Sequence, residues 1–223
     1  MVEGQTLVAE AVAAGWELEA LYVGHEAPTD VVDVLVDGVA WHRLAPGVLE
    51  RVASTETPQA MLASVRMRTV TLEDIERVAL IVAVDRVADP GNLGTVLRSA
   101  EAAGAGAVVT TPGTVDVFNP KVVRASAGAL FHLPLVSAEL AELASTGRRL
   151  LGSSSHRGTP HTDVDWSGPL AIVVGNEAGG LDDDAPVSEW VRIEHRGRSE
   201  SLNVAMAATV LCFEAARPRD ASR

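Results

Sequence analysis

The front of the chain alternates between short helix-like and strand-like patterns. Apolar residues recur at helical spacing in GQTLVAEAVAAGW (4–16), which a glycine closes. The runs LEALYVG (18–24) and AWHRLA (40–45) have the pattern of short strands, and PTDVVDVLVDG (28–38) has the pattern of a helix between them. These patterns predict a small α/β unit.

The hydrophobic runs become longer and more continuous from residue 79 onward. Runs rich in β-branched residues, typical of strands that are covered on both faces of a parallel sheet, lie at 79–84, 105–111, 149–154 and 169–175. Helical patterns lie at about 93–103, 120–129, 137–146 and 201–216. We therefore predict an α/β domain with an open parallel sheet and crossover helices.

A polar stretch, RMRTVTLEDIERV (66–78), lies between these two regions and has the composition of a linker. The predicted organisation is therefore a front domain at residues 1–70, a linker at 71–78 and a second domain at 79–223.

Composition excludes several classes of protein. Hydrophobic residues make up 47% of the chain, but none of its runs approaches the roughly 18 apolar residues of a membrane-spanning helix. The N-terminus lacks the basic and apolar regions of a signal peptide. The single cysteine, Cys212, excludes an internal disulfide framework and is expected to be buried as a small apolar group. We expect a soluble, cytoplasmic protein.

The charge of the chain limits how it could bind nucleic acid. The net charge of −12 argues against a broad, non-specific nucleic-acid binder, because phosphate contacts dominate such binding. The charge is uneven: residues 1–78 hold 5 Arg and 13 Asp or Glu, a net of −8, and the remaining residues carry −4. Any nucleic acid would therefore have to be held by few residues.

The first motif is DPGNLGTVLRSAEAAG (89–104), which follows a buried strand. Pro90 and Gly91 break the strand, and Asn92 is well suited to cap the next helix. Arg98 points away from the buried stripe of that helix, which consists of Leu93, Val96, Leu97 and Ala100. Taken alone, this motif is better described as a capped helix with a solvated arginine than as a functional site.

The glycines of this motif do not form a nucleotide cradle. Gly91 and Gly94 give G-x-x-G, whereas a dinucleotide fingerprint requires G-x-G-x-x-G and a later acidic residue. The spacing therefore disfavours a nucleotide-dependent oxidoreductase.

The second motif is VVGNEAGGLDDD (173–184). A buried strand ends at Gly175, Asn176 and Glu177 follow, and then come Gly179 and Gly180. Consecutive glycines permit positive φ and a close approach of the backbone to a ligand. Ligands of open parallel sheets bind where this carboxylate lies, past the carboxyl end of a strand. A simple turn with an exposed glutamate is the structural alternative.

The third motif is HRGRSESLNVAMAATVLCFEAA (195–216). Ser201 is a good N-cap for the helix that follows, and almost every residue of that helix is apolar, with Asn203 and Glu214 the main polar exceptions. Such a helix is expected to be buried all round, against its own sheet and a partner subunit. Asn203 would then lie in a crowded, dry place and need hydrogen-bond partners, as a structural core asparagine also would.

Together the three motifs resemble those of the SpoU family, also called TrmH, of RNA ribose 2′-O-methyltransferases in the SPOUT superfamily. The resemblance covers residues 79–217, including DVFNPKVVRASAGALFHLPL between the first two motifs. The front segment resembles the family's small substrate-binding domain, which is related to ribosomal protein L30e. The resemblance implies a parallel sheet with a C-terminal trefoil knot.

The resemblance also implies a cofactor and a set of site residues. S-adenosylmethionine would be held by Val174, Gly175, Asn176, Ile193 and Leu202. The polar active-site positions would be Asn92, Arg98, Glu177, Ser201 and Asn203. Homodimers of the family bring motif residues from two subunits together, with the C-terminal helix at the interface. The scattered histidines and single cysteine offer no cluster with ligand spacing, so we expect no metal.

The chemistry implied for Arg98 is charge stabilisation. A guanidinium stays protonated far above neutral pH, so it is a poor general base. Our hypothesis is that Arg98 stabilises the developing alkoxide of the ribose or grips a neighbouring phosphate.

The implied partner is RNA, and the front domain favours ribosomal RNA over transfer RNA. Candidate RNA-binding residues are Arg124, Arg157, Arg196 and Arg198. The sequence departs from the family where Ile-Pro usually opens the third motif, because Ile193 is followed here by Glu194 and His195. A transfer-RNA 2′-O-methyltransferase and a non-catalytic RNA-binding or assembly factor remain alternatives, and the target nucleotide is not readable from the sequence.

Overall fold

A computed structural model describes residues 1–27, 39–53 and 59–220 of the chain. The predicted helix at 28–38 lies outside the described residues. The chain divides into two compact units, Met1–Arg68 and Thr69–Arg223.

The first unit is a mixed sheet with short helices. Its strands are β1 (Val2–Glu3), β2 (Leu18–Val23), β3 (Trp41–Arg43) and β4 (Met61–Val65), and its helices are α1 (Gln5–Ala13) and α2 (Leu49–Val52). The order is β1-β4-β2-β3, with β4 antiparallel to β1 and β2, and with β3 parallel to β2. The predicted helix α1 and strands β2 and β3 are confirmed. Its core includes Val8, Leu21 and Ala63, which are fully buried.

The second unit is built on a parallel sheet. Its strands are β5 (Leu80–Val84), β6 (Ala107–Thr110), β7 (Leu135–Ser137), β8 (Arg149–Ser154), β9 (Thr159–Pro160), β10 (Leu170–Val174) and β11 (Glu189–Arg192). They lie in the order β7-β6-β5-β10-β8-β11-β9, and every recorded pairing is parallel. The predicted open parallel sheet is confirmed, and its central strands β5 and β10 are buried throughout.

Three strands of this sheet, β7, β9 and β11, were not predicted. β11 reads EWVR, and only Val191 of its four residues is buried. A strand near the edge of the sheet carries polar side chains, so it lacks the continuous apolar run that marked β5 and β10.

Helices flank the parallel sheet. They are α3 (Pro90–Ala102), α4 (Pro120–Ala125), a 3₁₀ turn (Ala129–His132), α5 (Leu140–Ser145) and α6 (Val204–Asp220). α3 packs against α4 and α6. A Cβ added at Gly94 would lie 2.3 Å from the Ala125 Cβ, so this glycine serves the close contact between α3 and α4.

The C-terminal helix α6 is covered by its own chain on one side only. Its inner face is buried, and Cys212 is fully buried there as predicted. Burial raises the pKa of the Cys212 thiol to about 12. The opposite face exposes Met206 at 57% and Phe213 at 50%, because the elements of one chain cover only one side of the helix. None of the helices in the described part of the chain is long and apolar enough to cross a bilayer.

Candidate active site

A cavity of about 690 Å³ lies in the second unit, past the carboxyl ends of β8, β10 and β11. Each strand contributes the segment that follows it, including residues 155–157, 175–181 and 193, and the segment before α6 also lines the cavity. Ligands of open parallel sheets bind at this edge. The volume falls within the range of about 300–1,000 Å³ that is usual for small-molecule sites.

The start of α3 is capped by Asp89, so the prediction that Asn92 caps this helix is wrong. The Asp89 Oδ1 accepts a hydrogen bond from the backbone N–H of Asn92 at 2.7 Å, and Pro90 takes the first helical position. Asn92 therefore lies within the first turn, and its side chain is available for contacts outside the helix.

The residue that caps α6 also differs from the predicted one. The prediction that Ser201 caps this helix is wrong, because α6 begins at Val204. The Asn203 Oδ1 accepts from the backbone N–H groups of Ala205 at 2.9 Å and Met206 at 3.3 Å. Asn203 itself performs the capping role, and its side chain is exposed rather than in the dry place we expected.

Three motif residues that are distant in sequence form one chain of hydrogen bonds. The Asn203 Nδ2 donates to the Asn92 Oδ1 at 2.9 Å, and the Asn92 Nδ2 donates to the Glu177 Oε1 at 3.0 Å. Because the Asn203 oxygen caps α6, its NH₂ group must face Asn92, and the Asn92 NH₂ group must then face Glu177. The three loops that carry the motifs are thus tied together beside the cavity.

Glu177 is the final acceptor of this chain. Its Oε1 also accepts from the Asp89 N–H at 3.1 Å, and its Oε2 accepts from the Ala88 N–H at 3.3 Å. Partial burial acts to raise the pKa of Glu177, but the hydrogen bonds from Asn92 and the backbone outweigh it and lower the pKa below its usual value. Glu177 therefore holds the second motif against the first as a carboxylate.

The loop after β10 owes its shape to Gly175 and Asn176. A Cβ at Gly175 would lie 2.3 Å from the carbonyl carbon of Gly180, so the loop returns directly over this glycine. Gly180 has a φ of 68°. The Asn176 Oδ1 accepts from the N–H groups of Ala178 at 2.9 Å and Gly179 at 3.3 Å. The close approach that the sequence suggested is made by the loop to itself.

Four of the five residues that the resemblance implied for the cofactor line the cavity: Gly175, Asn176, Ile193 and Leu202. Val174 differs, because it is fully buried inside β10 and supports Gly175 from within the sheet. Ser201 also lines the cavity, with an exposed side chain.

Arg98 differs from the other four predicted catalytic residues, which all line the cavity. It is exposed on α3, and the stripe that includes Leu93 and Leu97 is buried, which confirms the predicted orientation of the helix. Arg98 does not line the cavity of its own chain, whereas Asn92 does.

The four arginines predicted to bind RNA have different surroundings. Arg196 and Arg198 are exposed in the segment between β11 and α6, and Arg124 is half-buried in α4. Arg157 lies 3.7 Å from the centre of the Trp190 ring and pairs with the Asp183 Oδ1 at 2.9 Å. The guanidinium of Arg157 is therefore already paired with residues that line the cavity.

Sequence reasoning missed several residues that shape the site. Asp89 was detectable, because an Asp before a Pro at the first helical position is a known helix start. Arg86, Asp182 and Trp190 act through contacts that depend on the tertiary fold, and neither spacing nor periodicity marks them. Within the described ranges, none of the His, Cys, Asp and Glu residues form a group of three or more that could hold a metal ion.

Comparisons with known proteins place this site in context. Residues 79–213 match the model of the SpoU rRNA Methylase family, and residues 1–63 match the model of the MRM3-like substrate binding domain.

Two curated proteins illustrate the similarity. The chain is 36% identical to the 23S rRNA (guanosine(2553)-2′-O)-methyltransferase RlmP of Bacillus subtilis, covering 96% of this chain and 86% of that protein. It is 31% identical to the 23S rRNA (uridine(2479)-2′-O)-methyltransferase of Streptomyces viridochromogenes, covering 100% of this chain and 84% of that protein.

A solved structure extends the similarity to the fold. The SpoU methyltransferase AviRb of Streptomyces viridochromogenes, in complex with the cofactor AdoMet, superposes with a TM-score of 0.87 at 30% identity. The match covers 100% of this chain and 91% of that one.

Proposed function

Because the chain belongs to the SpoU rRNA methylase family, we propose that it transfers the methyl group of S-adenosylmethionine to a ribose 2′-OH of ribosomal RNA. Relatives that are named as 23S rRNA methyltransferases support both the reaction and the class of RNA. The observation that carries the proposal is the cavity at the carboxyl edge of the sheet, beside which Asn203, Asn92 and Glu177 are joined by hydrogen bonds.

The cavity has a volume usual for a small-molecule site, and its lining combines apolar side chains such as Ile193 and Leu202 with the polar loop after β10, which supports a role in binding S-adenosylmethionine. We propose that the backbone of Gly175 and Asn176, together with Ile193 and Leu202, holds the cofactor, and that Val174 fixes the height of this loop above the sheet. The cofactor supplies a methyl group bound to a sulfonium, which is transferred in line to the ribose oxygen. The protein contributes by holding both reactants in that geometry.

Methylation of a hydroxyl requires removal of its proton. A guanidinium is a poor general base, so the role proposed for Arg98 is to stabilise the developing alkoxide or to hold an adjacent phosphate, and an RNA phosphate takes the proton. Ser201, whose hydroxyl is exposed at the cavity, is proposed to contact the ribose. Asn92, Glu177 and Asn203 are proposed to hold the three motif loops in register through their shared hydrogen bonds.

We propose that the enzyme is a homodimer through α6. Met206 and Phe213 expose apolar side chains on one face of this helix, and a second subunit would cover them. Arg98 is absent from the lining of its own chain's cavity. In a dimer, Arg98 of one subunit can serve the cavity of the other.

The finer features of the fold are also proposals. The family resemblance supports a trefoil knot at the C-terminal part of the sheet, within a catalytic domain at 79–223. It supports an L30e-like domain at 1–70 that binds RNA, followed by a linker at 71–78, and the match of residues 1–63 to a substrate binding domain agrees with this role. Arg124, Arg157, Arg196 and Arg198 remain candidates for RNA contacts.

The test is transfer of a tritiated methyl group from S-adenosylmethionine to purified RNA. We expect label in ribosomal RNA, strongly reduced activity for Arg98→Ala, and normal activity for the matched control Arg77→Ala, which removes another exposed arginine. Mapping the labelled nucleotide would identify the target. Label in transfer RNA alone would favour the alternative substrate. If RNA binds but accepts no label, the chain is a non-catalytic RNA-binding factor.

A further inference from the structure

Arg86, two residues after the end of β5, has an unusual backbone conformation. Its φ is 54°, in the left-handed region that residues other than glycine rarely adopt. Residues held in such conformations persist only where the surrounding structure requires them, and they cluster at functional sites. Arg86 is therefore worth following to its contacts.

The guanidinium of Arg86 joins the sheet to the loop after β10. Its Nε and one terminal nitrogen donate to the Asp85 Oδ2, at 2.9 and 2.8 Å, and that terminal nitrogen also lies 2.9 Å from the Asp182 Oδ2. Asp85 is buried, and its other oxygen accepts from the Thr111 hydroxyl at 2.8 Å. On the side of the sheet, Arg86 is therefore held by a buried and hydrogen-bonded carboxylate. On the side of the loop, it is held by Asp182.

The backbone of Arg86 holds the same loop at its other end. Its carbonyl oxygen accepts a hydrogen bond from the Asn176 Nδ2 at 2.8 Å, and its N–H donates to the Thr111 Oγ1 at 3.1 Å. One residue thus anchors the loop 176–182 near both ends. Asn176, Glu177 and Leu181 of that loop line the cavity, whereas Arg86 does not.

We propose that Arg86 is a positioning residue, which clamps the loop 176–182 in the shape that binds S-adenosylmethionine. This inference rests on the proposed function, because it concerns the affinity of that cofactor. The loop encloses the cavity with its backbone, so a small displacement of the loop changes the lining directly. Arg86 acts through Asn176 and Asp182 and makes no contact with the reactants.

The sharpest variant is Asp182→Asn, which breaks the exposed arm of the clamp and leaves the Arg86–Asp85–Thr111 contacts in place. The Asp182 side chain is 63% exposed. Breaking a partly exposed ion pair changes an equilibrium constant by roughly two- to fivefold. We expect the Kd for S-adenosylmethionine, measured by calorimetry, to rise by about that factor. Amide hydrogen exchange at Ala178–Gly180 should accelerate in the unliganded protein, and the Tm should stay constant.

Three further variants complete the test. Asp184→Asn removes the same charge two residues away on an exposed side chain and should leave the Kd unchanged. Arg86→Gln should raise the Kd further, and Asp182→Asn should add nothing in the Arg86→Gln background, because the two residues form one link. Arg86→Lys should restore part of the affinity.

The possible outcomes separate the two proposals. If the wild-type protein does not bind S-adenosylmethionine, the proposed function fails and the role of Arg86 fails with it. If the wild-type protein binds and Asp182→Asn changes neither the Kd nor the exchange of the loop, the clamp is wrong while the proposed function stands. Equal effects of Asp182→Asn and Asp184→Asn would also overturn the clamp, since net charge alone would then explain the result.

Discussion

Glu177 is the point where the first and second motifs meet, and replacing it by Gln tests whether its charge maintains their contact. Gln has the same shape but only one acceptor oxygen. In the structure, two oxygens of Glu177 accept from Asn92, Asp89 and Ala88, at 3.0, 3.1 and 3.3 Å. The amide NH₂ of Gln would face at least one of these donors.

The expected loss of stability in Glu177→Gln can be estimated from these hydrogen bonds. Hydrogen bonds to a charged group contribute about 1.5–3 kcal/mol each, and neutral ones contribute about 1 kcal/mol. Because Glu177 is exposed, water competes for its oxygens, so we take the lower part of this range. We expect Glu177→Gln to reduce the free energy of local opening by about 1–2 kcal/mol at pH 7.

The assay is amide hydrogen exchange at Ala88 and Asp89, whose N–H groups donate to Glu177. Exchange at both amides should accelerate in Glu177→Gln, after correction for the intrinsic rate. The matched control is Glu101→Gln on the exposed face of α3, which removes an equal charge and should leave both amides unaffected.

The dependence on pH provides an independent check. The pKa of Glu177 is lower in the folded protein than its usual value of 4.5, so its stabilising effect is fully present above that value. The effect is lost as the pH falls through the folded pKa. The difference between wild type and Glu177→Gln should therefore be constant near neutral pH and shrink below about pH 4.5. A difference that persists at low pH, or that is absent at pH 7, would refute the reasoning.

Three other predictions follow from the structure. Gly175→Ala places a Cβ 2.3 Å from the Gly180 backbone, so it should lower the Tm by several degrees and weaken the binding of S-adenosylmethionine in calorimetry; an unchanged Tm would contradict the packing. The buried Cys212 thiol, with its pKa raised to about 12, should react with a thiol reagent at neutral pH only as the protein unfolds, and immediate labelling of the native protein would refute this. Phe213→Asp puts a charge on the exposed apolar face of α6 and should yield monomers in sedimentation, whereas an unchanged dimer would place the interface elsewhere.

Local pattern was sufficient for the elements that are buried on a regular spacing. The strands β5, β8 and β10 and the inner face of α3 follow from continuous or periodic apolar residues, because burial imposes the same period on the sequence and on the element. β11 was missed for the same reason: its polar residues leave only Val191 buried.

The caps show where local pattern fails. Asn92 and Ser201 both have side chains that suit an N-cap, and each lies within a few residues of the true one. The Asp-Pro pair does mark Asp89 as the cap of α3, but the position of Asn203, the cap of α6, depends on where the preceding loop leaves the sheet. That path is determined by contacts with other loops, which the sequence nearby does not contain.

The sequence by itself determined the parallel sheet, the buried stripe of α3 and the identity of the polar residues at the loops. Only the tertiary structure decided how those residues are used. Asn203 lies 111 residues from Asn92, which lies 85 residues from Glu177, yet the three share one line of hydrogen bonds. Arg98, in the same motif as Asn92, is left outside that line. Hydrogen bonds depend on distance and direction in space, and chain-local periodicity carries neither.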